Sequence, residues 1–154
     1  MATWTFFKSG KEKIATAAIN FSANAFLISL HQSGTPLSAG HDLTTLASVS
    51  AVAAQLASAR GYVLGGKTAS GTGVAYSGNN VVFSRAGVCW SANGGNLGTA
   101  ASLKYAVLRL STAAKSGIPI CFATLSTAGF AVASGSALKI NGGQAATAKY
   151  FAIV

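Results

Sequence analysis

The second half of the sequence is a series of short apolar runs separated by turn-forming residues, and this pattern constrains the fold most. Apolar runs of about four to eight residues, bounded by Gly, Asn and Ser clusters, are typical of β-strands. Many short strands at this spacing indicate an antiparallel β-sandwich or a jelly-roll-like domain. The sequence predicts strands at Val81–Arg85, Val88–Ser91, Leu103–Leu110, Ile118–Leu125, Phe130–Ala133, Ala137–Ile140 and Tyr150–Val154.

Helical signals are confined to the first half of the chain. Ser9 and Glu12 have the S-x-x-E spacing of a capping box, which predicts a short helix over Lys11–Ile19. Leucine and valine recur every three or four residues after Leu43, so part of residues 43–58 is also expected to be helical. The sequence therefore predicts a mainly β domain with a short N-terminal helix.

The remaining segments of the first half are assigned as one strand and two connections. Asn24–Leu30 is apolar and is predicted to be a buried strand. Residues 31–41 and 61–73 are rich in Gly and Ser and are predicted to be loops. No linker divides the chain, so residues 1–154 are expected to form a single domain. Residues 1–10 are either its first strand or an arm that packs on a neighbouring molecule.

Charge is scarce in this chain and almost entirely of one sign. Charged residues are 8% of the sequence, against about 25% in a typical domain. Eleven Lys and Arg face only Glu12 and Asp42, which gives a net charge of +9. Most basic residues therefore lack an acidic side chain to pair with. We expect a partner of negative potential, namely nucleic acid, an anionic membrane or an acidic protein surface. The alternative is that the charge serves solubility alone.

One phosphate-binding motif is matched in form. Residues 61–68, GYVLGGKT, fit the G-x-x-x-x-G-K-[ST] pattern of the P-loop. Such a loop needs a strand before it, a helix after it and an acid that helps to hold magnesium. The flanking sequences are Ala/Ser-rich and Gly-rich, and no acid follows Asp42. A loop with a solvated Lys67 is therefore the preferred interpretation.

Residues that could support catalysis or bind a metal are few. Glu12 and Asp42 would serve as a glycosidase pair only if the fold brought them together. His31 and His41 lie beside no recognisable nucleophile motif, and are expected to be loop residues. We therefore predict a non-enzymatic protein without metal or cofactor. Cys89 and Cys121 are expected to be buried thiols, with a disulfide as the alternative. No apolar run is long enough to span a membrane, so no membrane partner is expected.

Recognition of a specific nucleic acid is not expected, although the charge alone favours it. Only Lys8, Lys11 and Lys13 cluster, and the other basic residues are scattered. Binding of single strands usually combines a basic groove with exposed aromatic side chains. Trp90 and Tyr105 lie in predicted strands and are expected in the core.

The order of short motifs resembles a known group of proteins. FLISLHQSG, an HD-containing loop, ARGYVLGGKTA, VVFSRAGVCWSA, LKYAVLRL and IPICFATL follow one another between Phe26 and Leu125. This order is similar to that of small structural proteins of tailed-phage virions, of the capsid decoration or cement type. The resemblance implies a capsid- or tail-associated role, often oligomeric, without catalytic residues. The chain departs from the group in having fewer acids and an expanded Ala-rich stretch at Leu43–Ala59.

The resemblance leads to specific expectations for function and interface. The protein would decorate the capsid surface of the virion, assembled in the bacterial cytoplasm, and stabilise it by bridging capsid subunits. Its partners would be the major capsid protein and further copies of itself, with a trimer as one arrangement. A tail or fibre component and a basic nucleic-acid-binding protein are the alternatives. Aromatic side chains often dominate interfaces, and a terminal strand can extend a neighbouring sheet. The expected interface residues are Trp4, Phe6, Phe7, Lys8, Lys11, Lys13, Tyr150 and Phe151.

Overall fold

The described part of the chain contains ten strands and two short helices, joined by loops. The computed structural model describes residues 3–32, 34–69, 73–77, 80–98, 102–111, 117–140 and 148–153. The predicted mainly β fold with a short N-terminal helix is confirmed. The elements are β1 (Trp4–Phe6), α1 (Lys8–Ala15), β2 (Phe26–Gln32), α2 (Leu46–Val52), β3 (Lys67–Thr68), β4 (Val74–Ser77), β5 (Asn80–Arg85), β6 (Val88–Ser91), β7 (Leu103–Leu110), β8 (Pro119–Thr124), β9 (Ala137–Ile140) and β10 (Ala148–Ile153).

A five-stranded antiparallel sheet organises the fold. Its strand order is β1-β8-β7-β2-β3, and two smaller sheets have the orders β10-β5-β4 and β6-β9. Strands β7 and β8 pair in antiparallel register, with Leu108 opposite Cys121. Strand β2 lies between β7 and β3, so residues far apart in sequence meet at the centre of the sheet.

One face of the five-stranded sheet packs against the smaller sheets. Side chains alternate along a strand, so Phe26, Ile28 and Leu30 of β2 point to this face. They share a core with Phe83 of β5 and Trp90 of β6. The rings of Phe26 and Phe83 meet edge to face, with centroids 5.4 Å apart. This packing of sheet against sheet agrees with the expected sandwich-like arrangement.

The opposite face of the same sheet is covered by α2 and the segment before it. Tyr105 and Val107 of β7 and Phe122 of β8 share a second core with Leu46 and Val49 of α2. Thr45 caps α2, because its side chain accepts a hydrogen bond from the Ser48 N–H. Both faces of β7 are therefore buried, which is why its sequence is an almost unbroken apolar run. The expected helix within residues 43–58 is confirmed as Leu46–Val52.

The N-terminal residues form a strand of the main sheet. Trp4 of β1 lies opposite Ala123 of β8. Phe7 is fully buried, and its ring centroid lies 5.0 Å from that of Phe122. Of the two alternatives for this segment, residues 4–6 therefore take the first strand and not a free arm.

Several predictions of local structure are wrong. Helix α1 runs over Lys8–Ala15 and not over residues 11–19, and its N-cap is Phe7 without a side-chain cap. The Ser9 hydroxyl donates to the Leu43 carbonyl, so tertiary contact takes the place of the expected capping box. His31 belongs to β2 and not to a loop. Residues 130–133 form only isolated bridges, from Phe130 to Leu103 and from Val132 to Leu97.

A glycine permits the chain to cross the edge of β2. Gly66 has a φ of +84°, in the region that favours glycine. A Cβ atom at this position would overlap the carbonyl oxygen of Ile28 in β2. Gly135 has a nearly identical φ of +83°, but a Cβ there would meet no atom within 4 Å. The two positions thus share backbone strain and differ in the space available.

We expect Gly66→Ala to destabilise the protein much more than Gly135→Ala. The Gly135 variant should lose about 1–2 kcal/mol of unfolding free energy, the cost of placing a side chain in the left-handed region. The Gly66 variant should lose more, because the new methyl group forces β3 away from β2. Urea denaturation of both variants measures the difference. Equal losses would mean that the contact with Ile28 does not constrain the loop.

Candidate binding surface and buried polar groups

The aromatic residues expected at the interface lie mostly inside the chain. Trp4 is 8% exposed, Phe7 has no exposed surface and Phe6 is half-buried. Trp4 belongs to the core between the five-stranded sheet and the smaller sheets, and Phe7 belongs to the core that includes α2. The expectation that Trp4 and Phe7 anchor a partner conflicts with this placement, because their apolar surface is already covered.

The three clustered lysines lie on α1, which begins at Lys8 and not at Lys11 as predicted, and two of them pair with the only two acids of the chain. Lys8 Nζ lies 3.6 Å from Asp42 Oδ2, and Lys13 Nζ lies 3.8 Å from Glu12 Oε1. Both carboxylates are more than half exposed, and exposed ion pairs contribute little to stability. Lys11 is exposed on the same helix. The helix therefore presents its lysines outward while its buried residues, Ser9 and Gly10, face the protein.

The C-terminal residues expected at the interface belong to an outer strand. Strand β10 pairs with β5 and lies at the end of the three-stranded order β10-β5-β4. Phe151 lies opposite Phe83, and the register shifts between Lys149 and Phe151, at Tyr150. The side chains of Tyr150 and Phe151 are outside the described part of the structure. Addition of this strand to a neighbouring sheet stays a prediction.

Strand β2 carries a buried polar pair that the sequence analysis did not identify. The Ser29 hydroxyl and His31 Nε2 are 3.0 Å apart, and His31 Nδ1 is 2.7 Å from the Ala53 carbonyl oxygen. A carbonyl can only accept, so Nδ1 carries the proton and Nε2 accepts from Ser29. The pair thereby fastens the end of α2 to the sheet. Burial lowers the pKa of His31 from 6.5 to about 4, so the ring is neutral at neutral pH.

This Ser–His pair is not accessible for chemistry. Neither Ser29 nor His31 has exposed surface, and a carbonyl oxygen takes the place where a carboxylate would orient the histidine of a hydrolase. A nucleophile must reach its substrate, and none of these atoms meets solvent. The arrangement supports a structural role for the pair.

Arg109 is the largest fully buried side chain of the described part. Its Nη2 donates to the Gly65 carbonyl, and its Nε and Nη1 have no hydrogen-bond partner. Burial lowers the pKa of Arg109, with Tyr62 opposing that shift. A guanidinium without a carboxylate in the interior is costly. The contact with Gly65 ties the loop after Tyr62 to the five-stranded sheet.

The segment that matches the P-loop motif is a rigid loop of another kind. Ala59 and Tyr62 exchange backbone hydrogen bonds of 3.1 and 2.9 Å around Arg60 and Gly61. Both central residues have positive φ, as a two-residue type I′ turn requires. The Tyr62 hydroxyl accepts from the Leu30 N–H and from Gln55, which fixes the loop to β2.

The loop ends in a strand, which argues against nucleotide binding. A P-loop leads into a helix whose N-terminus holds the phosphates, whereas Lys67 and Thr68 form β3 here. The exposed Lys67 donates from Nζ to the Cys89 carbonyl oxygen at 2.8 Å. The preferred interpretation as a loop agrees with this geometry, although Lys67 is bound and not only solvated.

Other features offer no cluster for chemistry within the described residues. No group of three or more His, Cys, Asp and Glu side chains could hold a metal there. Cys89 and Cys121 are free thiols, and burial raises the pKa of Cys121. None of the helices in the described segments is long and apolar enough to cross a membrane. An open pocket of about 300 Å³ includes neither acid and is lined by Gln32, Leu56, Ala57, Ala59, Arg60, Asn96, Leu97 and Gly98.

Two signals in the sequence point to the buried polar groups. Ser29 and His31 are two residues apart, so they share one face of a strand. Arg109 is a cation that directly follows the apolar residues Tyr105–Leu108, at a position that pairs with Leu27 of β2. Neither signal identifies the partner atoms, because Ala53 and Gly65 contribute backbone carbonyls that leave no trace in side-chain identity.

We expect the stability of the protein to fall as the pH is lowered from about 6.5 to 4. The unfolded chain protonates His31 near pH 6.5, whereas the folded chain resists protonation until about pH 4. Unfolding therefore takes up one proton in this window, at about 1.4 kcal/mol per pH unit and about 3 kcal/mol in total. Denaturant titrations at several pH values measure this slope.

The two histidines provide a matched comparison for this prediction. His31→Gln should flatten the slope between pH 6.5 and 4, whatever its effect on stability at neutral pH. His41→Gln is the matched control, because the His41 ring is half-buried in a loop, where its Nδ1 accepts a hydrogen bond from the Ser38 N–H. A slope that survives in the His31 variant would assign the pH dependence to other groups.

Comparisons of the chain with known proteins found no similar protein. No protein-family model matches the chain. Searches of curated proteins and of solved structures likewise found no match.

Proposed function

We propose that this chain is a non-enzymatic structural protein that docks on an acidic protein surface. Following the sequence resemblance, we propose the capsid of a tailed phage as that surface. The protein would decorate it and stabilise it by bridging neighbouring capsid subunits. The observation that carries this proposal is the charge of the chain, in which eleven basic residues face two acids.

The ion pairs of the two acids show how much of the positive charge has an acidic partner within the chain. Asp42 pairs with Lys8 and Glu12 with Lys13, so both negative charges are used within the chain. Nine positive charges, 11 − 2, then have no acidic side chain to pair with. An excess of one sign creates a long-range field that steers a protein toward a surface of the opposite sign. An acidic assembly is the partner that suits such a field.

The placement of reactive groups supports a role without catalysis. The Ser29–His31 pair and Arg109 have no exposed surface, and the open pocket contains neither acid. Acid–base and nucleophilic mechanisms need groups that touch a substrate. The exposed charged groups of α1 are lysines and Glu12, which suit electrostatic contact better than chemistry.

A basic nucleic-acid-binding protein is the second candidate, since the same charge favours it. The described aromatic side chains weigh against it. Trp90 and Tyr105 are each 2% exposed, so they offer no stacking surface for bases. The described cations are also dispersed over α1, the loop before β3 and the strands. A tail or fibre component would dock through the same attraction between opposite charges, on a different partner protein.

We expect the purified protein to co-sediment with DNA-free capsid shells of the phage that encodes it. Binding should saturate at a fixed copy number per shell, because a regular lattice offers equivalent sites. Sedimentation at increasing protein concentration measures this ratio. Free double-stranded DNA at the same ionic strength is the control.

The other outcomes separate the alternatives. Binding to DNA alone, falling steeply with salt, would replace this proposal with the nucleic-acid function. Binding to tails but not to shells would identify a tail component. Absence of binding to shells contradicts the capsid proposal in either case.

A further inference from the structure

Two adjacent apolar side chains project from the loop before β3. Val63 is 62% exposed and Leu64 is 51% exposed. Among the described residues, only one other large apolar side chain is exposed, Val74 of β4 at 43%. A single exposed valine or leucine is ordinary on a protein surface. A neighbouring pair at the tip of one loop forms a small apolar projection, which we call the Val63–Leu64 tip.

The backbone of this tip is fixed at four points. The Gly66 N–H donates to the Val63 carbonyl at 2.9 Å, which closes a turn across the tip. The Leu64 N–H donates to the Ser58 hydroxyl at 2.7 Å. Buried Tyr62 fastens the loop before the tip, and Arg109 binds the Gly65 carbonyl after it. The tip is therefore held in one position before any partner arrives.

The fastening at Gly65 is costly to the isolated protein. Arg109 is fully buried, and two of its three guanidinium nitrogens have no hydrogen-bond partner. Unsatisfied buried polar groups typically cost stability. In return the loop is ordered in advance, which reduces the conformational entropy lost on binding. The loss of stability from the buried Arg109 is therefore consistent with a binding role for the Val63–Leu64 tip.

The charges around the tip identify the kind of partner. Arg60 and Lys67 are exposed, and each lies three residues from one end of the tip. Neither forms an ion pair among the described residues, because both acids of the chain pair with lysines of α1. A second copy of the chain would bring these cations against an equally basic surface. An acidic protein surface complements them instead.

We infer that the Val63–Leu64 tip inserts into an apolar recess on an acidic protein surface, with Arg60 and Lys67 contacting the acidic rim. This inference rests on the proposed function, for which it names the docking element. Apolar side chains that become buried at the centre of an interface supply affinity, and the surrounding charges supply orientation. The docking element is thus this loop and not the N-terminal aromatic residues.

The double variant Val63→Ser/Leu64→Ser tests the apolar contact on DNA-free capsid shells. The substituted side chains are exposed, so the urea midpoint should stay that of the wild type. The dissociation constant for shells should rise by at least about tenfold, as for a truncated interface centre. Val74→Ser is the control, because it removes the other exposed large apolar side chain of the described residues, which is 43% exposed, and should leave binding unchanged.

A pair of charge variants tests the sign of the partner. Leu64→Lys and Leu64→Asp both remove the apolar side chain but introduce opposite charges. On an acidic surface the Asp variant should bind at least about tenfold more weakly than the Lys variant. The reverse order would indicate a basic partner, such as a second copy of the chain, and would overturn the inference.

The outcomes distinguish the inference from the function on which it rests. If wild-type protein fails to bind shells, both the proposed function and the docking element on the capsid are overturned. If wild-type protein binds and the Val63/Leu64 double variant binds equally well, the function stands and the inference is overturned. Loss of binding in the Val74 control to the same extent would also overturn it, because the effect would not be specific to the tip.

Discussion

The pairing of β2 with β7 is the interaction on which the rest of the structure depends. These two strands lie next to each other within the five-stranded sheet, and residues on both of its faces are buried. A sheet buried on both faces needs a layer on each side. The smaller sheets cover one face, and α2 with the segment before it covers the other. The layered arrangement follows from this requirement.

Burial of both faces also traps polar side chains in the interior, and the shortage of acids determines how they are satisfied. Ser29 and His31 of β2 satisfy each other and the Ala53 carbonyl. Arg109 of β7 has no carboxylate within reach and binds the Gly65 carbonyl instead. Because a backbone carbonyl is fixed in its loop, this contact couples the position of the surface loop to the interior of the sheet.

The sequence predicted strands best where apolar runs were bounded by clear turns. Val88–Ser91, Leu103–Leu110 and Ala137–Ile140 have the predicted limits. These strands have the predicted limits because the turn-forming residues on either side determine where each strand begins and ends.

Local patterns failed where distant contacts compete with them. Ser9 has the spacing of a helix cap, yet its hydroxyl bonds to Leu43, 34 residues away. Phe7 lies in an aromatic segment predicted to contact a partner, and its ring packs on Phe122 of β8 inside the protein. The rigidity of the loop around Val63 was also missed, because Arg109 and Tyr62 reach it from elements that only the fold brings near. Tertiary contacts override local signals in each case.

On the proposed function, charge and the apolar tip act over different distances. The excess of nine positive charges acts over about 8–10 Å at physiological ionic strength and governs the rate of encounter. The Val63–Leu64 tip acts only on contact and governs how long the complex lasts. Single exposed ion pairs are weak at physiological salt, so a short-range apolar contact would add to the lifetime of such a complex. On the described surface, the Val63–Leu64 tip would provide that contact.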